Sequence, residues 1–452
     1  MSSEKRNRIL SRFSVDQICF AVLALSICFK LIYAVRVPYN ISPHDLNLTS
    51  DWTNIPDGHL GYIQYIYQYK HLTDFSPVEY PSQYYHPPLF YILSAVIMSI
   101  FDPMKNNNLS ASFEAIQFFN MVTASAIPVV CYFIFKELKI KEQGLLWATL
   151  LVSFSPALYH MGAALNSDTL MSFFLSLVVL NAVKWANSPQ MTVIAKMGLF
   201  LALSMLSKTS GVLIAPALSL LFLWALFEKK APFKSLFAQY IVFGLISIPL
   251  GLSWVLRENI LFGMPFNYVL EQTADSFQYV GDCPLITRIG LPSTLQLITT
   301  KIAWAYRQDY SNIWGQTLFT MCLDEGILPV QTDLEYFMVI SLYWINSILY
   351  ILSFLTLCWS VFTKKYSAKI RAFLITIYLT LMGSYILFAF QQPFICTTNF
   401  RYIWLTLVPL FSSVGIFATY SDLLKPGLKR LLTAILILSS FYTGIVYVVF
   451  AT

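Results

Sequence analysis

Apolar runs long enough to cross a bilayer recur along this chain, and they constrain its fold more than any motif does. A transmembrane helix needs roughly 20 predominantly apolar residues. Such runs lie near 17–36, 115–135, 144–162, 168–186, 194–207, 211–227, 236–256, 337–361, 370–390, 401–420 and 430–450. They predict an all-α polytopic membrane protein, a bundle of about eleven transmembrane helices forming a single domain over residues 1–452. Only 12% of residues are charged and 57% are hydrophobic, whereas soluble domains carry about 25% charged residues. No soluble domain of useful size remains outside the runs. The first run has no small-residue cleavage site and is expected to stay as an anchor. The seven cysteines show no C-x-x-C spacing, so neither a zinc nor a redox motif is indicated. Cys283 and Cys322 share one loop and either pair there or stay as free thiols.

The segment 88–102 is left out of the spans. Leu89 to Phe101 gives 13 residues after Pro87-Pro88, and apolar stretches of roughly 10–14 are more often re-entrant or interfacial. The distribution of Lys and Arg supports that choice, because cytoplasmic loops carry the positive excess. With the N-terminus inside and 88–102 not crossing, every inside turn is basic: Lys136, Lys139 and Lys141; Lys184 and Lys196; Lys229, Lys230 and Lys234; Lys364, Lys365, Lys369 and Arg371; Lys425, Lys429 and Arg430. The predicted topology is N-in, C-out. Net charge of +6 therefore reads as membrane orientation and gives no argument for nucleic acid. Two large loops, 37–114 and 257–336, share the outer face with the turns at 163–167, 207–210 and 391–400. Sequons at Asn40, Asn47 and Asn108 all fall in the first of these loops, which suits a lumenal face but carries little weight.

Chemistry-bearing residues gather on that face. His44 and Asp45 follow the first span directly, His59 stands in Gly58-His59-Leu60-Gly61-Tyr62, and His86 stands in Tyr84-Tyr85-His86-Pro87-Pro88. Asp45 is a solvated loop acid in the ordinary case, or a general base at the membrane boundary that takes a proton from an acceptor hydroxyl. The three histidines would orient that acid or bind a metal, and their irregular spacing argues weakly for metal. Asp168, in Asn166-Ser167-Asp168, is either a helix cap or a site acid facing the same cavity as Asp45. Lys208, Arg257 and Arg401 sit at outer boundaries against the positive-inside bias. They either snorkel to the interface or neutralise a lipid phosphate, where Arg binds bidentately and Lys acts as a point charge. Loop 257–336 interleaves Trp304, Tyr306, Arg307, Asp309, Tyr310 and Trp314, either as an interfacial belt or as the lining of an acceptor groove.

Several runs taken in order resemble a known superfamily. His44-Asp45 after the first helix, GHLGYIQYI at 58–66, YYHPPLFYIL at 84–93, ALNSDTL at 164–170, LSKTSGVLIAPAL at 206–218, RENILFGMPFNYV at 257–269 and TTNFRYIWLTLVPL at 397–410 are similar to GT-C glycosyltransferases. The branch they resemble holds the protein O-mannosyltransferases and the lipid A aminoarabinose transferase. The resemblance implies a GT-C-like bundle whose first outer loop packs short helices over the membrane. It also implies transfer of a sugar, with inversion, from a polyprenyl-phosphate donor to an acceptor on the extracytoplasmic face. By the same resemblance Asp45 is the base, Asp168 helps position donor or acceptor, and Lys208 and Arg401 contact the donor phosphate. Family members often carry Asp-Glu where this chain has His44-Asp45, so a role for the neighbouring carboxylate does not transfer. No D-x-D pattern is present, and no obligatory metal or other cofactor is expected.

The chemistry fits a membrane boundary. A polyprenyl-phosphate sugar keeps its lipid in the bilayer, so a base and a fixed cation must meet its anomeric carbon at the interface. Two other readings stand beside this one. A transporter or lipid flippase would show repeats and midplane charges, but no clear repeat is seen, and apart from Lys30 the charges cluster at helix ends. A non-catalytic assembly subunit is the third, against which an intact Asp45 argues. The sugar, the acceptor and the polyprenyl length are open, and the resemblance favours a bacterial inner membrane over the endoplasmic reticulum.

Overall fold

The computed structural model describes residues 14–40, 58–79, 83–102, 109–229, 231–270, 272–276, 278–291, 311–324 and 332–449. His44, Asp45, Asn47, Asn108 and the run Trp304 to Tyr310 lie outside the described residues. The helices in chain order are α1 Val15–Arg36, α2 Gly58–Tyr69, α3 Leu89–Phe101, α4 Leu109–Glu137, α5 Glu142–Ser153, α6 Ala157–Ala163, α7 Asp168–Asn187 and α8 Met191–Ser207. There follow α9 Ala215–Glu228, α10 Phe233–Phe262, α11 Leu285–Ile289, α12 Ile313–Leu323, α13 Asp333–Phe362, α14 Ala368–Gln391, α15 Leu407–Tyr420 and α16 Pro426–Val449. Short 3-10 turns at Gln83–Tyr85, Thr209–Ile214, Ile395–Thr398 and Phe400–Thr406 join them. Among the described residues there are ten candidate spans, with α5 and α6 counted as one, and α8 is a further apolar helix of 17 residues. The chain is an all-helical polytopic membrane protein. Helix α3 has 13 residues and falls short of a span, as its length predicts.

The bundle sorts into inner and outer helices. The α5–α6 segment is buried along its whole span window, while the window of α10 is 22% buried and shows Leu245 and Ile248 to its surroundings. Lipid tails are as apolar as leucine, so association of such helices rests on close packing rather than on removal from water. Gly144 shows this. A Cβ there would stand 2.4 Å from the Gly415 carbonyl oxygen, so α5 and α15 meet backbone to backbone.

Helix α5 breaks before Pro156, and α6 continues the crossing. The break frees the Ser153 carbonyl, which accepts hydrogen bonds from Lys30 Nζ at 2.5 Å and Ser26 Oγ at 3.0 Å. Lys30 is fully buried in α1, also donates to Ser26 Oγ, and sits 5.2 Å from the centre of the Tyr159 ring. A lysine amine that donates to the last carbonyl closes a helix end, so α1 caps a helix of the bundle interior.

The first loop forms a satellite core of its own. Residues Gly58 to Tyr67 of α2 are all buried, and they pack with Phe90, Tyr91 and Met98 of α3 and with Phe113 and Ile116 of α4. Leu165 and Leu170, on either side of Asp168, complete the same cluster. The first-loop module is therefore seated on the turn that carries Asp168. Parts of the second large loop are fastened elsewhere. Val280 N donates to Pro393 O and Ile395 N to Gln278 O, both at 2.9 Å. Cys283 and Cys322 do not pair, and Cys322 is buried as a thiol in α12.

Candidate active site

The 163–169 turn is held by buried side chains. Asn120 Nδ2 of α4 donates to Ala164 O at 2.6 Å and Asn166 O at 3.1 Å, Gln117 Nε2 donates to Ala163 O, and Thr169 Oγ donates to Met161 O. Asn166 Oδ1 accepts from the Asp168 amide at 3.1 Å. Asp168 therefore opens α7 with its side chain 2% exposed and its backbone fixed.

Its carboxylate does not cap the helix. Oδ1 takes a hydrogen bond from Lys208 Nζ at 2.5 Å, and Oδ2 lies 3.7 Å from Arg401 Nε. Both cations also face Tyr402, at 5.0 Å and 5.1 Å from the ring centre, and Arg401 Nη2 donates to the Tyr402 hydroxyl. Among the described residues, two fixed cations meet one carboxylate here, and Lys208 is 14% exposed. Oriented cations around a partly open position suit an oxyanion or a phosphate.

Glycine sets the position of Lys208. The 3-10 turn Thr209–Ile214 folds back on the end of α8, where a Cβ on Gly211 would stand 2.4 Å from Ser204 Oγ and 3.2 Å from the Met205 amide. A side chain there would require the Ser204 hydroxyl to move and the α8 backbone to give by a few tenths of an ångström.

The other histidines stand beside this cluster. His59 is buried, hydrogen-bonded through Nδ1 to the Tyr91 hydroxyl at 2.6 Å, and close enough to act electrostatically on Asp168. His86 is buried behind it, with the two rings stacked at 5.5 Å and 11°. Tyr62 stacks on Tyr91 at 4.1 Å, and its burial in the module raises its phenol well above the ordinary range. Among the described residues no group of three His, Cys, Asp or Glu side chains is assembled as a metal cage requires.

Arg257 makes its contacts elsewhere. Its guanidinium binds the Thr73 carbonyl and Glu258, and lies 4.8 Å from the Trp254 ring centre. It ties the first-loop module to the end of α10, where Trp254 Nε1 also donates to Tyr85 O. Of the residues singled out in the sequence, the structure brings Asp168, Lys208 and Arg401 together with His59 beside them. Asn120 and Tyr402 went unread. A buried amide inside an apolar run was the available signal for the first, and for the second nothing beyond its place after Arg401.

The family model for dolichyl-phosphate-mannose-protein mannosyltransferase matches residues 85–254, which include the Asp168 turn, Lys208 and Trp254. Among solved structures, the apo oligosaccharyltransferase of Archaeoglobus fulgidus overlays with a TM-score of 0.55 at 13% identity, covering 96% of this chain and 56% of that one. The chain has the GT-C glycosyltransferase fold. A second structure is the oligosaccharyltransferase AglB of Archaeoglobus fulgidus in complex with an inhibitory peptide and a dolichol-phosphate. It overlays at 0.51 and 13% identity, over 96% of this chain and 56% of that one. The Saccharomyces cerevisiae Pmt1–Pmt2 protein O-mannosyltransferase complex bound to its sugar donor gives a TM-score of 0.41 at 14% identity, over 60% of this chain and 36% of that one. The present GT-C chain spans a little over half the length of the archaeal enzyme. No curated protein matches its sequence.

Proposed function

We propose that this GT-C protein transfers a sugar from a polyprenyl-phosphate carrier to an acceptor on the extracytoplasmic face of a membrane, with inversion at the anomeric carbon. The observation that carries the reading is the buried Asp168 carboxylate shared between Lys208 and Arg401. In the reaction the acceptor oxygen attacks the anomeric carbon, and the bond from that carbon to the phosphate oxygen breaks. The electron pair leaves with the polyprenyl phosphate, and Lys208 and Arg401 stabilise the charge that develops there. Asp168 holds the two cations in place. Asp45 accepts the acceptor proton as general base. His59 and His86 line the module that closes over the donor, and Arg257 acts through that module by fixing it to α10. The dolichol-phosphate held by the archaeal oligosaccharyltransferase supports a lipid phosphate as the donor class. The resemblance supports a bacterial inner membrane over the endoplasmic reticulum.

The test is transfer by purified protein supplied with radiolabelled polyprenyl-phosphate sugars and a membrane extract as acceptor source. Label should reach an acceptor with the wild type, and Asp45→Asn should lose about 100-fold or more, since a general base contributes roughly 10²–10⁴. Equal transfer by both would remove Asp45 as the base. No transfer from any donor by well-folded protein would end the glycosyltransferase reading.

A further inference from the structure

Behind Arg401 stands a buried carboxylate that the chemistry above does not use. Asp324 ends α12, is 2% exposed, and has φ 54° and ψ −127°. That is a left-handed conformation which residues other than glycine adopt rarely, and such backbone concentrates at functional positions. Its partners come from two other elements of the site. Asn399 Nδ2 donates to Asp324 Oδ1 at 3.1 Å, and the His160 ring of α6 has Nδ1 3.9 Å from the same oxygen. His160 Nε2 faces the Met321 carbonyl at 3.2 Å, so it carries a proton and donates to it.

The consequence runs through the amide. Asn399 begins the 3-10 turn that holds Arg401, and its Oδ1 accepts from the Arg401 backbone N–H at 3.0 Å. An amide side chain has one accepting end and one donating end. A carboxylate accepts only, so Asp324 selects the orientation in which Nδ2 faces it and Oδ1 faces Arg401. The flipped amide would set two donors against each other at the Arg401 cap. The turn is also pinned to α12 where Phe400 N donates to Thr320 Oγ at 2.9 Å. We infer that Asp324 is a positioning residue, whose carboxylate orients Asn399 and thereby aims the Arg401 side chain at a phosphate group of the lipid donor. The inference rests on the donor reading of Lys208 and Arg401.

Undecaprenyl phosphate is the probe, measured for binding to the full-length protein in nanodiscs, with undecaprenol as the control lacking phosphate. The discriminating variant is Asp324→Gly, because glycine accepts the left-handed backbone and removes only the side chain. It should unfold no earlier than wild type and bind the phosphate lipid at least five-fold more weakly. Asn399→Ala should reproduce that loss. Asp324→Asn should keep most of the affinity, since an amide oxygen at 324 still accepts from Asn399. The decisive measurement is the double variant. In an Arg401→Ala background, already weakened, Asp324→Gly should add little, because residues acting through one group are not additive. A second five-fold loss in that background would show that Asp324 acts independently of Arg401 and would overturn the inference, leaving the donor reading intact. Unchanged binding by Asp324→Gly alone would do the same. Wild type binding undecaprenol as well as its phosphate would bring down the donor reading and this inference together.

Discussion

Asp168 opens a helix yet caps nothing. An acid at that position ordinarily satisfies free amide groups, but here both oxygens turn to side-chain cations, one of them 2.5 Å away. Asp168→Asn keeps the volume and removes the charge that holds Lys208 and Arg401 side by side. Removing one partner of a buried ion pair costs about 3–5 kcal/mol, and the figure should be smaller here because Lys208 is partly open to solvent. The expected result is a lower unfolding temperature in detergent and at least tenfold weaker binding of polyprenyl phosphate. A variant unchanged in both would show that the carboxylate does not organise the cations. Lys208→Ala separates affinity from folding, since its ammonium is the more exposed of the two cations. Charge-assisted hydrogen bonds contribute about 1.5–3 kcal/mol, so binding titrations should give roughly 10- to 150-fold weaker affinity with the helix content of wild type.

Between residues, geometry is set by where helices end. Gly211→Ala places a Cβ against the Ser204 hydroxyl and the Met205 backbone, so it is expected to push the 3-10 turn, and Lys208 with it, away from α8. Overpacking of this kind costs about 1–3 kcal/mol. Transfer should fall with that displacement while circular dichroism stays helical, and full activity would mean that the turn has slack. Element ends are also where the sequence was least readable. The spans stand out because twenty apolar residues have few other uses, and α3 is set apart by its length and by the Lys and Arg distribution. The break between α5 and α6 is marked in the sequence only by Pro156 within one span-length run, and the partner of the freed carbonyl, Lys30, lies 123 residues away. Asp168 and Lys208 could be singled out as polar residues in short turns. Asp324 could not, because its meaning comes from Asn399, 75 residues further on.

At the scale of the whole molecule, the first-loop module and the Asp168 turn share one apolar cluster, so one end of the bundle holds both the cations and their cover. The basic turns predict that this end lies outside the cytoplasm. A C-terminal alkaline phosphatase fusion should be active and a C-terminal green fluorescent fusion dark, and the opposite pattern would invert the orientation. Assembly in time follows from Lys30. When α1 leaves the ribosome its lysine has no carbonyl to cap, for Ser153 lies 123 residues downstream. At about 5–20 residues per second that is a wait of roughly 6–25 s. A charge at a helix centre costs about 2.5–3.5 kcal/mol to insert, and somewhat less at the off-centre place of Lys30. Helix α1 is therefore expected to gain its buried partner only after the later crossing is made. In chains stopped before α5, α1 should insert less efficiently than its Lys30→Leu variant, and equal insertion by both would show that the lysine imposes no such wait. The lysine sets an order of assembly as well as closing a break.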